Sequence, residues 1–204
     1  MRWAHTPQLA ALMDIEDPYS YRARLTLPKF IVNSAGDQYF LPDSSRFYFN
    51  GLPGETYLRY VPNTDHSLKG SDAAESALAF YLSIVTQAPR PRFTWSFEDD
   101  GSIRVEAQTP PSAVNLWQAT NPNARDFRLQ SIGRAYTSSA LVDLGGGIYI
   151  ARVPEPERGW TAFFVEMTFP GPGSRPLQIH QWRAHYTRSP SVWPIPGKTI
   201  ASNP

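Results

Sequence analysis

Near residue 90 the spacing of apolar side chains changes, and that change confines the chain to folds with two kinds of secondary structure. Residues 88–92 read APRPR, a linker by composition. Before it, short apolar runs alternate with helical patterns; after it, apolar residues recur at every second position. Alternating strand and helix implies an open parallel sheet, whereas a period of two implies antiparallel strands.

In the first half, TPQLAALMDI opens a helix with Thr6 as N-cap and Pro7 at the first helical position. KFIVNSA (29–35) reads as a strand covered on both faces, and PDSSRFYFNG as a short helix capped by Asp43 or Ser44 and stopped by Gly51. TYLRYVP (56–62) is the next strand. Residues 71–87 form the clearest helix, with Asp72 and Glu75 spaced as a capping box. Its apolar face comprises Ala74, Ala77, Leu78, Tyr81, Leu82 and Val85.

In the second half, RFTWSFEDDGSIRVEA reads as a hairpin with Asp100-Gly101 in a type I′ turn. AVNLWQAT, FRLQSIG, SALVDL, GIYIARV, WTAFFVEMTF and LQIHQWRAHY follow as strand candidates separated by Gly- and Pro-rich turns. Roughly seven such strands suggest an immunoglobulin-like sandwich. The expected organisation is therefore an α/β unit over residues 1–90, an all-β sandwich over 91–190 and a flexible tail over 191–204.

Composition narrows the function classes. A net charge of +1 gives no long-range pull toward nucleic acid, and 41% hydrophobic residues suit a globular chain. No apolar run reaches the ~18–20 residues that span a bilayer, and the N-terminus lacks the layout of a signal peptide. The chain has no cysteine, hence neither disulfides nor thiolate chemistry. Residues 145–147, GGG, lack a phosphate-loop lysine and precede a strand. His180 and His185 lie five apart in a strand, on opposite faces, so no metal pair is expected. Neither cofactor nor metal is expected. Trp95, Trp117, Trp160 and Trp182 are expected in the sandwich core.

The chemistry gathers at two strand tips. In open parallel sheets functional residues collect at the carboxyl ends of strands. Asp37 follows the strand at 29–35, and His66 follows the strand at 56–62. An acid, one helix-sized segment, a histidine and then a long amphipathic helix is the order at the end of an α/β-hydrolase. An imidazole can take a proton from a hydroxyl and return it, and a carboxylate on its second nitrogen fixes the tautomer. Asp43 is the competing acid, with helix capping as its other role; Asp65, adjacent to His66, suits a turn. Asp37 lies nearest a tip, and the choice between Asp37 and Asp43 stays open.

DPYSYRARLTLPKFIVNSAGDQYFLPDSS and FYFNGLPGETYLRYVPNTDHSL, with the helix that follows, resemble the C-terminal part of the PhoPQ-activated pathogenicity-related proteins. The likeness is dense from about Trp3 to Ser83 and thins toward Trp193. It implies a serine-type α/β-hydrolase fold, an exported protein, and a link to virulence and resistance to antimicrobial peptides. It also implies Asp37 as triad acid, His66 as triad base, and a peptide or an ester as substrate. The chain departs from that pattern: it contains no Gly-x-Ser-x-Gly elbow between a strand and a helix. Met1 therefore opens on the back half of a hydrolase, expected to be feebly active alone and to pair through an exposed sheet edge. Two other readings stand beside it: a non-catalytic binding module that uses the β-sandwich, and a truncated gene product.

Overall fold

The computed structural model describes residues 6–172 and 176–183, the last six of these as backbone. The protein mixes helix and strand, 24% and 31%. Helix α1 (Pro7–Glu16) starts as the sequence indicates: Thr6 Oγ1 accepts from the Leu9 amide at 3.3 Å, and Pro7 needs no partner for its nitrogen. No residue of α1 is buried.

Strand β1 (Lys29–Ser34) pairs in parallel with β2 (Thr56–Val61), register Lys29↔Thr56 to Ser34↔Val61. The crossover is not the capped helix expected. Pro42–Phe47 and Phe49–Gly51 form 3₁₀ turns without a side-chain cap: their cap positions fall on Leu41 and Tyr48, and Asp43 lies inside the first turn, where its carboxylate binds arginines. Nor is β1 covered on both faces: it is buried at Ser34 alone, whereas β2 is buried throughout.

Helix α2 (Ala73–Val85) occupies its expected place but is rotated. Its buried residues are Ala73, Ser76, Ala79, Phe80 and Ser83, while Leu78, Tyr81 and Val85 of the expected inner face are exposed. The cause is Arg59 of β2, 1% exposed. Its guanidinium binds the Asp72 carboxylate and Ser76 Oγ, and donates to the Asp72 carbonyl at 3.1 Å. Asp72 is thus drawn from capping to ion pairing, and the small residues of α2 turn inward to let the helix approach.

Strands β3 (Phe93–Phe97), β4 (Ile103–Ala107), β5 (Ala113–Asn121), β6 (Thr137–Ala140), β7 (Ile148–Ala151), β8 (Trp160–Pro170) and β9 (Pro176–Arg183) make two antiparallel sheets. Their orders are β3-β4-β7 and β6-β5-β8-β9. The β3–β4 connection is longer than a two-residue type I′ turn. Phe97 pairs with Ile103, the Gly101 amide reaches the Glu98 carbonyl at 2.9 Å, and Gly101 alone of the loop takes positive φ (+81°). The FRLQSIG segment is not a strand either: Leu129–Ile132 form one helical turn, α3, whose first amide bonds the Gly36 carbonyl at 3.0 Å.

The four-stranded sheet is a middle layer. Phe163, Val165, Met167 and Phe169 of β8 face β3, β4 and β7 in a core that also holds Tyr57 and Phe80. Ala162 and Phe164 project from the opposite face and pack with Leu58, Tyr60, Phe127 and Tyr136. Both cores therefore straddle residue 90. The linker itself is pinned: Tyr57 donates to the Pro91 carbonyl at 3.0 Å, and Arg90 forks onto Glu55 at 2.8 and 2.6 Å. Trp95 is buried, and Trp117 and Trp160 are half-buried. The side chains of His180 and Trp182, all of His185 and the tail at 191–204 lie outside the described residues.

Candidate active site

The parallel ladder places two backbone turns side by side, one after each strand. β1 ends at Ser34, and the Ala35 amide still bonds the Val61 carbonyl at 2.9 Å. Ser34 Oγ donates to the Thr64 carbonyl at 2.7 Å and accepts from the Gly36 amide at 3.0 Å, stitching the first turn to the second. Gly36 is required by space: a Cβ there would sit 2.6 Å from Thr64 O and 3.0 Å from Leu129 N.

These turns bring Asp37 and His66 together. Asp37 Oδ2 lies 2.9 Å from His66 Nδ1. Asp37 Oδ1 accepts from the amides of Tyr39 and Phe40 at 2.7 and 2.9 Å, so both oxygens are engaged. The residue is 5% exposed. Burial pushes its carboxyl up, but the bonds from His66 and from the Phe40 and Tyr39 amides outweigh that and hold it below the usual carboxylate range. An ionised carboxylate can only accept, so the contact favours a proton on Nδ1. Nε2 has no hydrogen-bond partner among the described residues. The ring is flanked by Tyr39 and Phe40, centroids 5.1 and 5.4 Å away, and its side chain is 45% exposed. Beside it lies a cavity of about 200 Å³ lined by Asn33, Ser34, Ser44, Tyr48 and Leu68 among others.

The competing acids are occupied elsewhere. Asp43 Oδ2 takes Arg125 Nη2 at 2.6 Å and Arg46 Nη1 at 3.4 Å, in a second cavity of about 230 Å³ that no histidine lines. Asp65 Oδ1 accepts from the amide and hydroxyl of Ser67, the turn role expected of it. Sequence reasoning passed over Asn63, Thr64 and Gln38. Thr64 Oγ1 bonds the Val61 carbonyl at 2.9 Å and Ser34 Oγ at 3.1 Å, and Gln38 Oε1 accepts from the His66 amide at 3.2 Å. Asn63 held a readable signal: an Asn just beyond a strand end tolerates the left-handed region, and its φ is +57°. Among the described residues no group of three or more acidic or histidine side chains could hold a metal ion. Nor is any of their helices long and apolar enough to cross a membrane.

The arrangement defines an α/β protein with a carboxylate–imidazole pair at neighbouring tips of a parallel ladder. The chain belongs to the PhoPQ-activated pathogenicity-related protein family, whose sequence model matches residues 1–128. It is also similar to Autocrine proliferation repressor protein A of Dictyostelium discoideum, 35% identical over 191 residues. That alignment covers 83% of this chain and 39% of the relative, so the chain spans about two fifths of the relative's length. No solved structure matches it.

Proposed function

We propose that this chain carries the acid and base of a serine-type hydrolase site. Asp37 orients the imidazole and stabilises its charged form. His66 takes a hydroxyl proton through Nε2 and returns it to the leaving group. The observation that supports this most directly is the 2.9 Å contact between a buried, amide-bonded carboxylate and a ring whose other nitrogen is open. The nucleophile and the oxyanion donors belong to another segment. Ser34, the buried serine of this cavity, is committed to Thr64 and Gly36. Alone, the chain would be at most feebly active, and the substrate class we favour is an ester or a peptide.

On this reading, residues 1–90 are the C-terminal portion of an α/β-hydrolase domain and 91–190 an immunoglobulin-like sandwich set against it, with a tail at 191–204. The parallel pair followed by α2, and seven antiparallel strands in sheets of three and four, support that division. The outer edge of β1 has no strand partner among the described residues, which favours pairing with a further segment or chain there. The link to virulence and antimicrobial-peptide resistance extends from the family.

The test is hydrolysis of short-chain aryl esters and peptide arylamides by the longest reading frame that encodes this chain, with Asp37→Asn and His66→Ala variants. A fall of ~10⁴-fold for Asp37→Asn, and a larger one for His66→Ala, supports the reading. Hydrolysis that survives both, or no hydrolysis by the parent, overturns it.

A further inference from the structure

We propose that Asn63 is a positioning residue: its side-chain amide locks the turn bearing His66 onto the connection between β5 and β6, and so sets the Asp37–His66 contact. This rests on the reading of Asp37 and His66 as an acid–base pair.

Asn63 lies between the end of β2 and His66. Its Nδ2 donates to the Tyr136 carbonyl at 2.9 Å, and its Oδ1 accepts from the Tyr136 amide at 3.0 Å. The side chain thus copies a peptide group and satisfies both backbone groups of one residue, 73 positions away in sequence. Such a bond pair fixes orientation as well as distance, because donor and acceptor must both align. Asn63 also sits at φ +57°, so the backbone direction toward His66 is set at the same residue.

The acid's turn meets the same connection. The Leu129 amide donates to the Gly36 carbonyl at 3.0 Å, one residue before Asp37. The segment between β5 and β6 therefore touches the acid's tip through Leu129 and the base's tip through Tyr136, and acts as a splint across the two. Apart from its ring contacts with Asp37, Tyr39 and Phe40 and the Ser34–Thr64 bonds, little else holds the turn that bears His66. The His66 amide bond to Gln38 is exposed, and the bonds within the Asp65–Leu68 turn move with the turn. Without Asn63 the His66 turn keeps Thr64 as its anchor and loses its tie to the β half. A displacement near 1 Å is enough to cost ~10²-fold in a site of this kind.

The test uses isotope-labelled chain and NMR. Asn63→Gly keeps the left-handed backbone and removes the amide, and Asn63→Asp keeps the acceptor and removes the donor. The expected result is loss of the downfield Nδ1 proton signal of His66, with its pH titration displaced toward that of Asp37→Asn, more in Asn63→Gly than in Asn63→Asp. A purely structural role predicts a lower urea midpoint with the His66 titration overlaying the parent, and that outcome overturns the proposal. Should neither variant fold, the parent decides in sub-denaturing urea. Exchange of the Tyr136 amide and loss of the His66 Nδ1 proton signal must rise together; separate transitions overturn the proposal. An Asp37→Asn variant that leaves the His66 titration unmoved sinks the acid–base pair itself, independently of Asn63.

Discussion

β2 is buried at every position, whereas β1, its hydrogen-bonded neighbour in the same parallel pair, is buried at one. The difference is one of cover. Tyr57 of β2 shares a core with Phe80 and the three-stranded sheet, and Arg59 is enclosed by α2, while Leu58 and Tyr60 enter the core on the far face of the four-stranded sheet. β1 meets β2 on one edge and stacks Phe30 on Phe80, centroids 5.2 Å apart. His66 therefore stands beyond a strand fixed by packing, and Asp37 beyond a strand held chiefly by its ladder to β2 and by hydrogen bonds at its tip. A site assembled this way needs both, and each can be broken separately.

At the packed strand the expected effect is large. Arg59→Ala empties a fully enclosed site and removes the bonds that hold the start of α2. Asp72, with a side chain 41% exposed, recovers water when its partner goes, so no buried charge is stranded. The expected loss is ~2–4 kcal/mol, from the cavity and the lost bonds. It should be read as a lower urea midpoint at unchanged slope. A changed slope would mean that α2 had detached already in the native state, and a loss under ~1 kcal/mol would deny that Arg59 anchors the helix.

At the tip of β1 the sensitive position is Gly36. Ala there must push aside either the Thr64 carbonyl or the Leu129 amide, both backbone atoms. The expected cost is ~1–3 kcal/mol. The His66–Asp37 coupling should weaken with it, because Thr64 lies in the turn that bears His66 and Leu129 bonds the carbonyl one residue before Asp37. Equal stability with an unchanged His66 titration would show that the tips are more pliant than their contacts imply.

Next comes the pH dependence carried by Asp37. Its carboxyl lies lower in the folded chain than in the unfolded one. It therefore contributes stability above the unfolded carboxylate pKa of ~4, and that contribution is lost as pH falls through the folded value. Asp37→Asn should lower stability at neutral pH and flatten the decline of the urea midpoint on the acid side. Parallel acid limbs for parent and variant would refute the linkage.

The meeting of Asp37 and His66 was legible in the sequence because it depends on order and on strand ends, both of which periodicity reveals. The Thr6 cap and the strands at 93–97, 113–121 and 160–170 were legible for the same local reasons. The rotation of α2 was not. Hydropathy selects Leu78, Tyr81 and Val85 as an inner face, but the inner face here is Phe80 with a stripe of small residues that lets the helix close on a buried arginine. Asp72 matches a capping box equally well, and no local rule says that Arg59 will claim it. Residues 127–130 alternate as a strand would, yet the conformation of this segment is settled by the Gly36 carbonyl, far away in sequence. Long-range hydrogen bonds of this kind leave no periodic trace.

The smallest expected effect tests that rotation most directly. Tyr81 is 59% exposed and Phe80, its neighbour on α2, is 7% exposed. Phe80 meets Phe30 and Tyr57 at 5.2 and 5.7 Å between ring centroids, so Phe80→Ala should cost ~3–5 kcal/mol. Tyr81→Ser should change stability by no more than ~0.5 kcal/mol, the range of ordinary surface positions. If α2 instead faced the core with the stripe its hydropathy favours, the two substitutions would exchange magnitudes. The ratio of the two losses is insensitive to errors shared by both measurements, and it fixes which side of α2 lies against β2. Arg59 adds the reason: a helix turned the other way would present Leu78 and Tyr81 to a guanidinium that needs Asp72 and Ser76.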